Sequence, residues 1–235
     1  MSSKTLIIIP TFNEKENVES IINTTLALDT DFHVLIVDDG SPDGTAAIVK
    51  QMQQQNNRLF LLERNGKQGL GTAYIAGFKW GLQNGFDLLC EMDADFSHPP
   101  QKLVELKKCC LNGADIAVGS RYVKGGKLEN WSTDRVLLSK GASIYVRLIT
   151  GIPIRDTTAG FICYKRKVLE TINLDDIHFI GYAFQIEMKY KAWKAGFTLA
   201  EVPITFKDRE KGNSKMSTAI FNEAFSGVWK MRFSK

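Results

Sequence analysis

Short, unbroken apolar runs recur through the first half of the chain, each separated from the next by a stretch with helical spacing. The runs are Thr5–Ile9, His33–Val37, Arg58–Leu62, Phe86–Met92 and Asp115–Gly119. A strand with one wet face alternates apolar and polar residues, whereas a continuously apolar strand is covered on both faces. Helical periodicity fills the intervals from about Glu14 to Leu28, Asp43 to Gln54, Leu70 to Leu82 and Pro100 to Leu111. The pattern predicts an α/β chain with a mostly parallel central sheet and helices on both faces. Ligands of such sheets bind in the crevice beyond the carboxyl ends of the strands. The residues after Ile9, Val37, Met92 and Gly119 are therefore the place to look, and polar residues follow each of them.

The second half is less regular. A glycine-containing loop, Val123–Asn130, leads into a mostly apolar helical stretch from Thr133 to Thr150. Ala159–Tyr164 and Leu199–Phe206 read as further strands, with a helix from about Tyr182 to Ala195 between them. Lys207–Lys215 is polar and loop-like, and a last helix is expected over Thr218–Arg232. There is no repeat and no linker, so the expectation is one domain spanning residues 1–235.

Bulk properties remove several function classes. The net charge of +4 suits an anionic ligand or surface without demanding one, and no basic tract carries the interleaved aromatics of a nucleic-acid binder. The four cysteines show no zinc spacing, and Cys90 and Cys163 lie in apolar runs, as expected of reduced thiols in the cytoplasm. No stretch approaches the roughly 20 apolar residues that span a bilayer. The chain is expected to be soluble, or to touch a membrane from one side only.

Three local signals carry chemistry. Met92-Asp93-Ala94-Asp95 places two carboxylates around a small residue directly after a predicted strand, before Phe96-Ser97-His98-Pro99-Pro100. Carboxylates so placed can reach a divalent cation, and Mg²⁺ or Mn²⁺ suits a site made of few carboxylates, waters and phosphate oxygens. Pro10-Thr11-Phe12-Asn13-Glu14 and Val37-Asp38-Asp39-Gly40-Ser41 follow the first two strands. Their acids can accept hydrogen bonds from a base or ribose, while Asn13 and Ser41 are good helix-capping residues. The third signal is a set of dispersed cations: Arg121 after the fifth strand, Arg135 in the following helix, and Arg209 and Lys215 in the late polar loop. Guanidinium groups bind phosphate oxygens bidentately. The first strand lacks Gly-x-Gly-x-x-Gly, which counts against a dinucleotide oxidoreductase, and Asn65–Gly71 lacks the ending of a P-loop.

As an ordered set, Pro-Thr-Phe-Asn-Glu, Val-Asp-Asp-Gly-Ser-Pro-Asp-Gly-Thr, Met-Asp-Ala-Asp, Gly-Ser-Arg-Tyr and the late Arg-x-x-x-Gly-x-Ser-Lys closely resemble dolichyl-phosphate mannose synthases, over Leu6 to about Lys215. Those are inverting glycosyltransferases of the GT-A, nucleotide-sugar-binding fold. The resemblance implies transfer of mannose from GDP-mannose to a polyprenyl or dolichyl phosphate. It places Pro10, Phe12, Glu14, Val37 and Asp39 around the nucleoside, and Asp93, Ala94 and Asp95 at the metal and diphosphate. It assigns Arg121 and Arg135 to the acceptor phosphate, and Arg209 and Lys215 to donor phosphates on a mobile loop. Ser97 stands where some relatives carry a metal-assisting glutamine.

Alternatives on the same residues are transfer of another sugar, such as glucose from UDP-glucose, a soluble acceptor, and a non-catalytic regulatory subunit of the same fold. A lipid acceptor also requires a route to the membrane. Ile220, Phe221, Ala224, Phe225, Val228 and Trp229 recur at helical spacing, with Lys230, Arg232 and Lys235 after them. Such a helix either packs its stripe on the domain's own core or sits at the cytoplasmic face of a membrane, directly or through a membrane-anchored partner subunit, with Val136–Ile149 as a second contact.

Overall fold

A computed structural model describes residues 3–181, 183–208 and 227–233 of the chain. Its first half runs β1 (Thr5–Thr11), α1 (Val18–Leu28), β2 (Phe32–Asp38), α2 (Thr45–Gln53), β3 (Leu59–Glu63), α3 (Leu70–Gln83), β4 (Leu88–Glu91), α4 (Lys102–Leu111) and β5 (Ile116–Ser120). The rest runs β6 (Lys127–Glu129), α5 (Thr133–Thr150), β7 (Ile162–Lys165), α6 (Arg166–Thr171), a 3₁₀ turn (Leu174–Asp176), α7 (Ala183–Lys194), β8 (Leu199–Pro203) and β9 (Thr205–Lys207). Residues 227–233 are helical.

Seven strands form one sheet in the order β3-β2-β1-β4-β7-β5-β8, and β6 and β9 form a small parallel pair beside it. β7 is antiparallel to both its neighbours, and every other pairing in the main sheet is parallel. The strand period of two sorts the apolar runs onto two faces. Leu6, Ile8, Leu35 and Val37 face a core shared with Tyr74 and Phe78 of α3, Leu169 of α6 and Phe184 and Met188 of α7. Ile7, Ile9, Val34 and Ile36 face the other, with Ile21 and Ile22 of α1, Val49 of α2 and Leu103 and Leu106 of α4. The expected α/β sheet covered on both faces is therefore present.

α3 packs closely on the sheet. A Cβ on Gly77 would lie 2.5 Å from Ile8 Cγ2, and one on Gly81 would lie 2.5 Å from Leu89 Cδ2. The two glycines, one helical turn apart, let α3 lie directly on β1 and β4. The same helix delivers Tyr74 to the end of β4.

Several element bounds depart from the sequence expectation. α1 starts at Val18, because residues 15–17 form a turn. The run Leu199–Phe206 divides at Ile204 into β8 and β9, whose partners differ. β6 lies inside the expected loop Val123–Asn130. Of the expected last helix, residues 218–226 lie outside the described residues, as do Arg209 and Lys215.

Candidate active site

The carboxyl ends of β1 and β2 are joined by side chains of their own loops. Asn13 adopts a left-handed backbone, φ 59°, and its N–H donates to Ser41 Oγ at 2.9 Å. The Glu14 N–H donates to Thr45 Oγ1 and the Lys15 N–H to Asp43 Oδ2, at 3.1 and 3.0 Å. Asn13 and Ser41 therefore tie the two loops together rather than capping α1 and α2, as their sequence positions suggested. Asp38 belongs to the same framework, accepting from Thr11 Oγ1 at 2.8 Å and from the Ser41 N–H at 2.9 Å.

Asp39 is placed differently. Its carboxylate is buried, with Arg64 Nε 3.2 Å from Oδ1, yet Asp39 Oδ1 and Arg64 Nη1 have no hydrogen-bond partner among the described residues. Burial holds the Asp39 carboxyl above its ordinary range, against the opposing pull of Arg64. Unsatisfied buried polar atoms are costly, so a polar pair left open at a strand end is a natural ligand contact. Phe12 lies beside it with the Lys67 ammonium 5.5 Å from its ring centre. Pro10 sits at the end of β1 opposite Val37 of β2. The Val37 side chain is fully buried in the core, so what it offers this site is the strand end leading to Asp38 and Asp39.

At the end of β4, Asp93 and Asp95 flank the buried Ala94. Asp93 is the more open, its side chain 39% exposed, and its Oδ1 accepts from the Tyr74 hydroxyl at 3.2 Å. Asp95 is 9% exposed, and its Oδ1 accepts from the Ser97 N–H at 3.1 Å. Ser97 thus acts on Asp95 through its backbone. His98 is buried, and its Nδ1 accepts from the Asp93 N–H at 3.1 Å. Burial lowers its pKa, against Asp93 and Asp95, and a ring accepting at Nδ1 is neutral with its proton on Nε2. Its ring stacks on Phe161 with centroids 5.0 Å apart.

Among the described residues no group of three or more His, Cys, Asp or Glu converges as a metal cage. A cation here would take only hard carboxylate oxygens from the protein. That donor set fits Mg²⁺ or Mn²⁺ completed by phosphate and water, and does not fit a soft metal.

Arg121 and Arg135 lie beyond β5 with different partners. Arg121 is clasped by fully buried Asp156, with Nε 2.7 Å from Oδ2 and Nη2 2.6 Å from Oδ1, and Nη2 also donates to Thr158 Oγ1 at 2.8 Å. Most of the hydrogen-bonding edge of Arg121 is thus engaged by the protein, a partnership its strand-end position did not reveal. Arg135 lies over Trp131, 3.8 Å from the ring centroid, and its Nη1 donates to Asp208 Oδ2 at 2.8 Å. Trp131 meets Phe206 edge-on, and Phe206 meets His98 edge-on, each at 5.5 Å, so an aromatic wall links Arg135 to the Asp93 loop. A cleft of about 470 Å³ runs from Glu16 and Asn17 past Asp95 and Phe96 to Lys207 and Asp208.

Sequence reasoning passed over Arg64, Tyr74, His98, Trp131 and Asp156. Arg64 follows the third apolar run, where the strand-end rule would have found it. Asp156 precedes the run that became β7; because β7 is antiparallel, its entry lies at the edge where its neighbours end.

The family model described as glycosyl transferase family 2 matches residues 6–172. The chain is 46% identical over 234 residues to the polyprenol monophosphomannose synthase of Mycolicibacterium smegmatis, covering 98% of this chain and 88% of that protein. It is 43% identical over 225 residues to the undecaprenyl-phosphate mannosyltransferase of Micrococcus luteus, covering 96% and 92%. Among solved structures, a mannosyltransferase from Pyrobaculum calidifontis in complex with GDP-Man and Mn²⁺ has the same fold, with TM-score 0.62 and 14% identity over 100% of this chain and 71% of that one. With the strand-end crevice, the paired carboxylates and this extent of identity together, the chain belongs to glycosyl transferase family 2.

Proposed function

We propose that this protein transfers mannose from GDP-mannose to a polyprenyl phosphate, inverting the anomeric carbon, with Mg²⁺ or Mn²⁺ bound at Asp93 and Asp95. The observation that carries the reading is the crevice itself: an open polar pair at β2, two carboxylates at β4 and two arginines beyond β5 lie along one edge of the sheet. The names of the relatives at 46% and 43% identity supply mannose and polyprenyl or undecaprenyl phosphate. The nucleoside lies against Phe12, with Glu14, Asp39 and Arg64 as polar contacts, and its diphosphate reaches toward Asp93 and Asp95. Arg209 and Lys215 are the cations assigned to the donor phosphates.

The acceptor makes a general base unnecessary. A phosphomonoester has its second pKa near 6, so it is largely dianionic at neutral pH. What the protein must do is align a phosphate oxygen behind the anomeric carbon and stabilise the departing diphosphate. A divalent cation, when bound, neutralises charge developing on that diphosphate. Arg135 is the direct ligand of the acceptor phosphate in this scheme. Its pair with Asp208 is partly exposed, and exchanging such a partner for a dianion costs little. Arg121, clasped by Asp156, supplies charge held in place.

The protein lies on the membrane surface, and the attachment is α5. Among the described residues no helix is long and apolar enough to cross a membrane. Leu137, Ile144 and Leu148 of α5 are 64%, 55% and 81% exposed, and their spacing sets them on one stripe. Lys140 and Arg147 flank it, which suits an anionic lipid surface. The helix over residues 227–233 packs Val228 against Val146 of α5 and Ile186 of α7, leaving Trp229 and Phe233 exposed and stacked 5.6 Å apart. The stripe expected in the last helix is thus divided within the described residues, Val228 inward and Trp229 outward.

Purified protein given GDP-mannose or UDP-glucose, a short polyprenyl phosphate and Mg²⁺ or Mn²⁺ tests the assignment. Mannosyl lipid from GDP-mannose alone is the expected product. Preferential formation of glucosyl lipid would replace the donor, and no transfer from either would reject the activity.

A further inference from the structure

Lys189 of α7 is fully buried, and its Nζ donates to the backbone carbonyl of Ala159 at 2.6 Å. An ammonium removed from water costs several kcal/mol unless nearby groups compensate it, and core packing alone would be served by an apolar side chain. Ala159 closes the turn that carries Asp156 and Thr158, the two residues that hold the guanidinium of Arg121. Glu201 of β8 holds the other end of that turn, accepting the N–H groups of Arg155 and Asp156 at 2.8 and 2.9 Å.

One helical turn before Lys189, Gln185 donates to Glu91, a fully buried carboxylate two residues before Asp93. Residues four apart share a helix face, so one face of α7 touches both the strand that ends in the paired carboxylates and the turn that fixes Arg121. The charged groups facing Lys189 are Glu91, Asp156, Arg121 and Glu201. Burial pushes the lysine down to about 7, with Glu91 and Asp156 opposing.

We propose that Lys189 is a positioning residue, holding the Asp156–Thr158 turn, and through it Arg121, in the orientation that receives the acceptor phosphate. The inference rests on the reading of Arg121 as part of the acceptor site. It explains why a lysine occupies the interior: its ammonium donates to a carbonyl of the turn and is drawn to the Asp156 carboxylate that clasps Arg121.

Lys189→Met keeps the length of the side chain and removes both charge and donor. The expected result is a folded protein by circular dichroism, an unchanged KM for GDP-mannose and an acceptor KM raised about 10-fold or more, since small misplacements of a positioning group cost that much. Lys189→Gln, which retains a donor, should fall between wild type and Lys189→Met; it also takes over the measurement should the methionine variant fail to fold. Combining Lys189→Met with Asp156→Asn should add little to the acceptor KM of Asp156→Asn alone, because both act through Arg121. Equal rises in donor and acceptor KM, no change in either, or fully additive effects would overturn the inference. A wild type that makes no product with any polyprenyl phosphate would instead reject the proposed activity, and this inference with it; a wild type that turns over while Lys189→Met shows no split rejects this inference alone.

Discussion

Arg121 and Arg135 carry the same charge, but removing them has different consequences. Alanine at Arg121 takes the guanidinium partner from buried Asp156, leaving it the backbone N–H of residue 121 and the nearby Lys189, a loss of up to about 3–5 kcal/mol by the usual cost of breaking a buried pair. Alanine at Arg135 breaks a partly exposed pair with Asp208 and the stack on Trp131, a loss of about 1–2 kcal/mol. Denaturant unfolding of the two variants should therefore separate them clearly, while steady-state kinetics should show acceptor KM rising in Arg135→Ala with the donor KM unchanged. Equal stability losses, or a collapse of donor affinity in Arg135→Ala, would contradict these roles. The sequence treated the two arginines alike for a physical reason. A strand-end position shows which crevice a side chain reaches, but its hydrogen-bond partner, 35 residues along in Asp156, depends on where another strand enters the sheet. His98 was quoted as part of the carboxylate motif without a role, because only the folded turn brings its Nδ1 to the Asp93 N–H.

Among the elements, α5 spans Thr133–Thr150, the same bounds its periodicity implied. Its direction of burial was less legible, since apolar residues lie on both its core side, at Val146, and its open side, at Leu137, Ile144 and Leu148. Only the neighbouring helices decide which stripe is covered. Flotation with anionic vesicles tests the open stripe: wild type should float, and Leu148→Ser combined with Trp229→Ser should remain below while keeping its turnover on a short-chain acceptor. Wild type that stays at the bottom yet is fully active on that acceptor would reject direct attachment in favour of a membrane-anchored partner. The strands show the complementary limit. An apolar run such as Ala159–Tyr164 announces burial on both faces but not direction, and β7 enters the sheet antiparallel. The division of Leu199–Phe206 into β8 and β9 was hidden because Ile204 continues the apolar pattern while the backbone changes partners.

At the scale of the whole molecule, the groups proposed for donor and acceptor lie along one edge of a two-faced sheet, and α5, which carries Arg135 in its first turn, turns an apolar face outward. The strand-end rule pointed to this edge from the sequence alone, and Asp39, Asp93 and Asp95 do follow the ends of β2 and β4. The family of the chain was legible for the same reason, its first four motifs falling in order at the ends of β1, β2, β4 and β5. The central claim is that the carboxylates after β4 support the transfer through a divalent cation. Turnover of GDP-mannose with a short polyprenyl phosphate, measured for wild type with and without chelator and for Asp95→Ala, tests it most directly. Chelator should abolish wild-type turnover, added Mg²⁺ or Mn²⁺ should restore it, and folded Asp95→Ala should lose more than about 100-fold, the scale of losing one transition-state charge stabiliser. Full activity in excess chelator, or in Asp95→Ala, would contradict it.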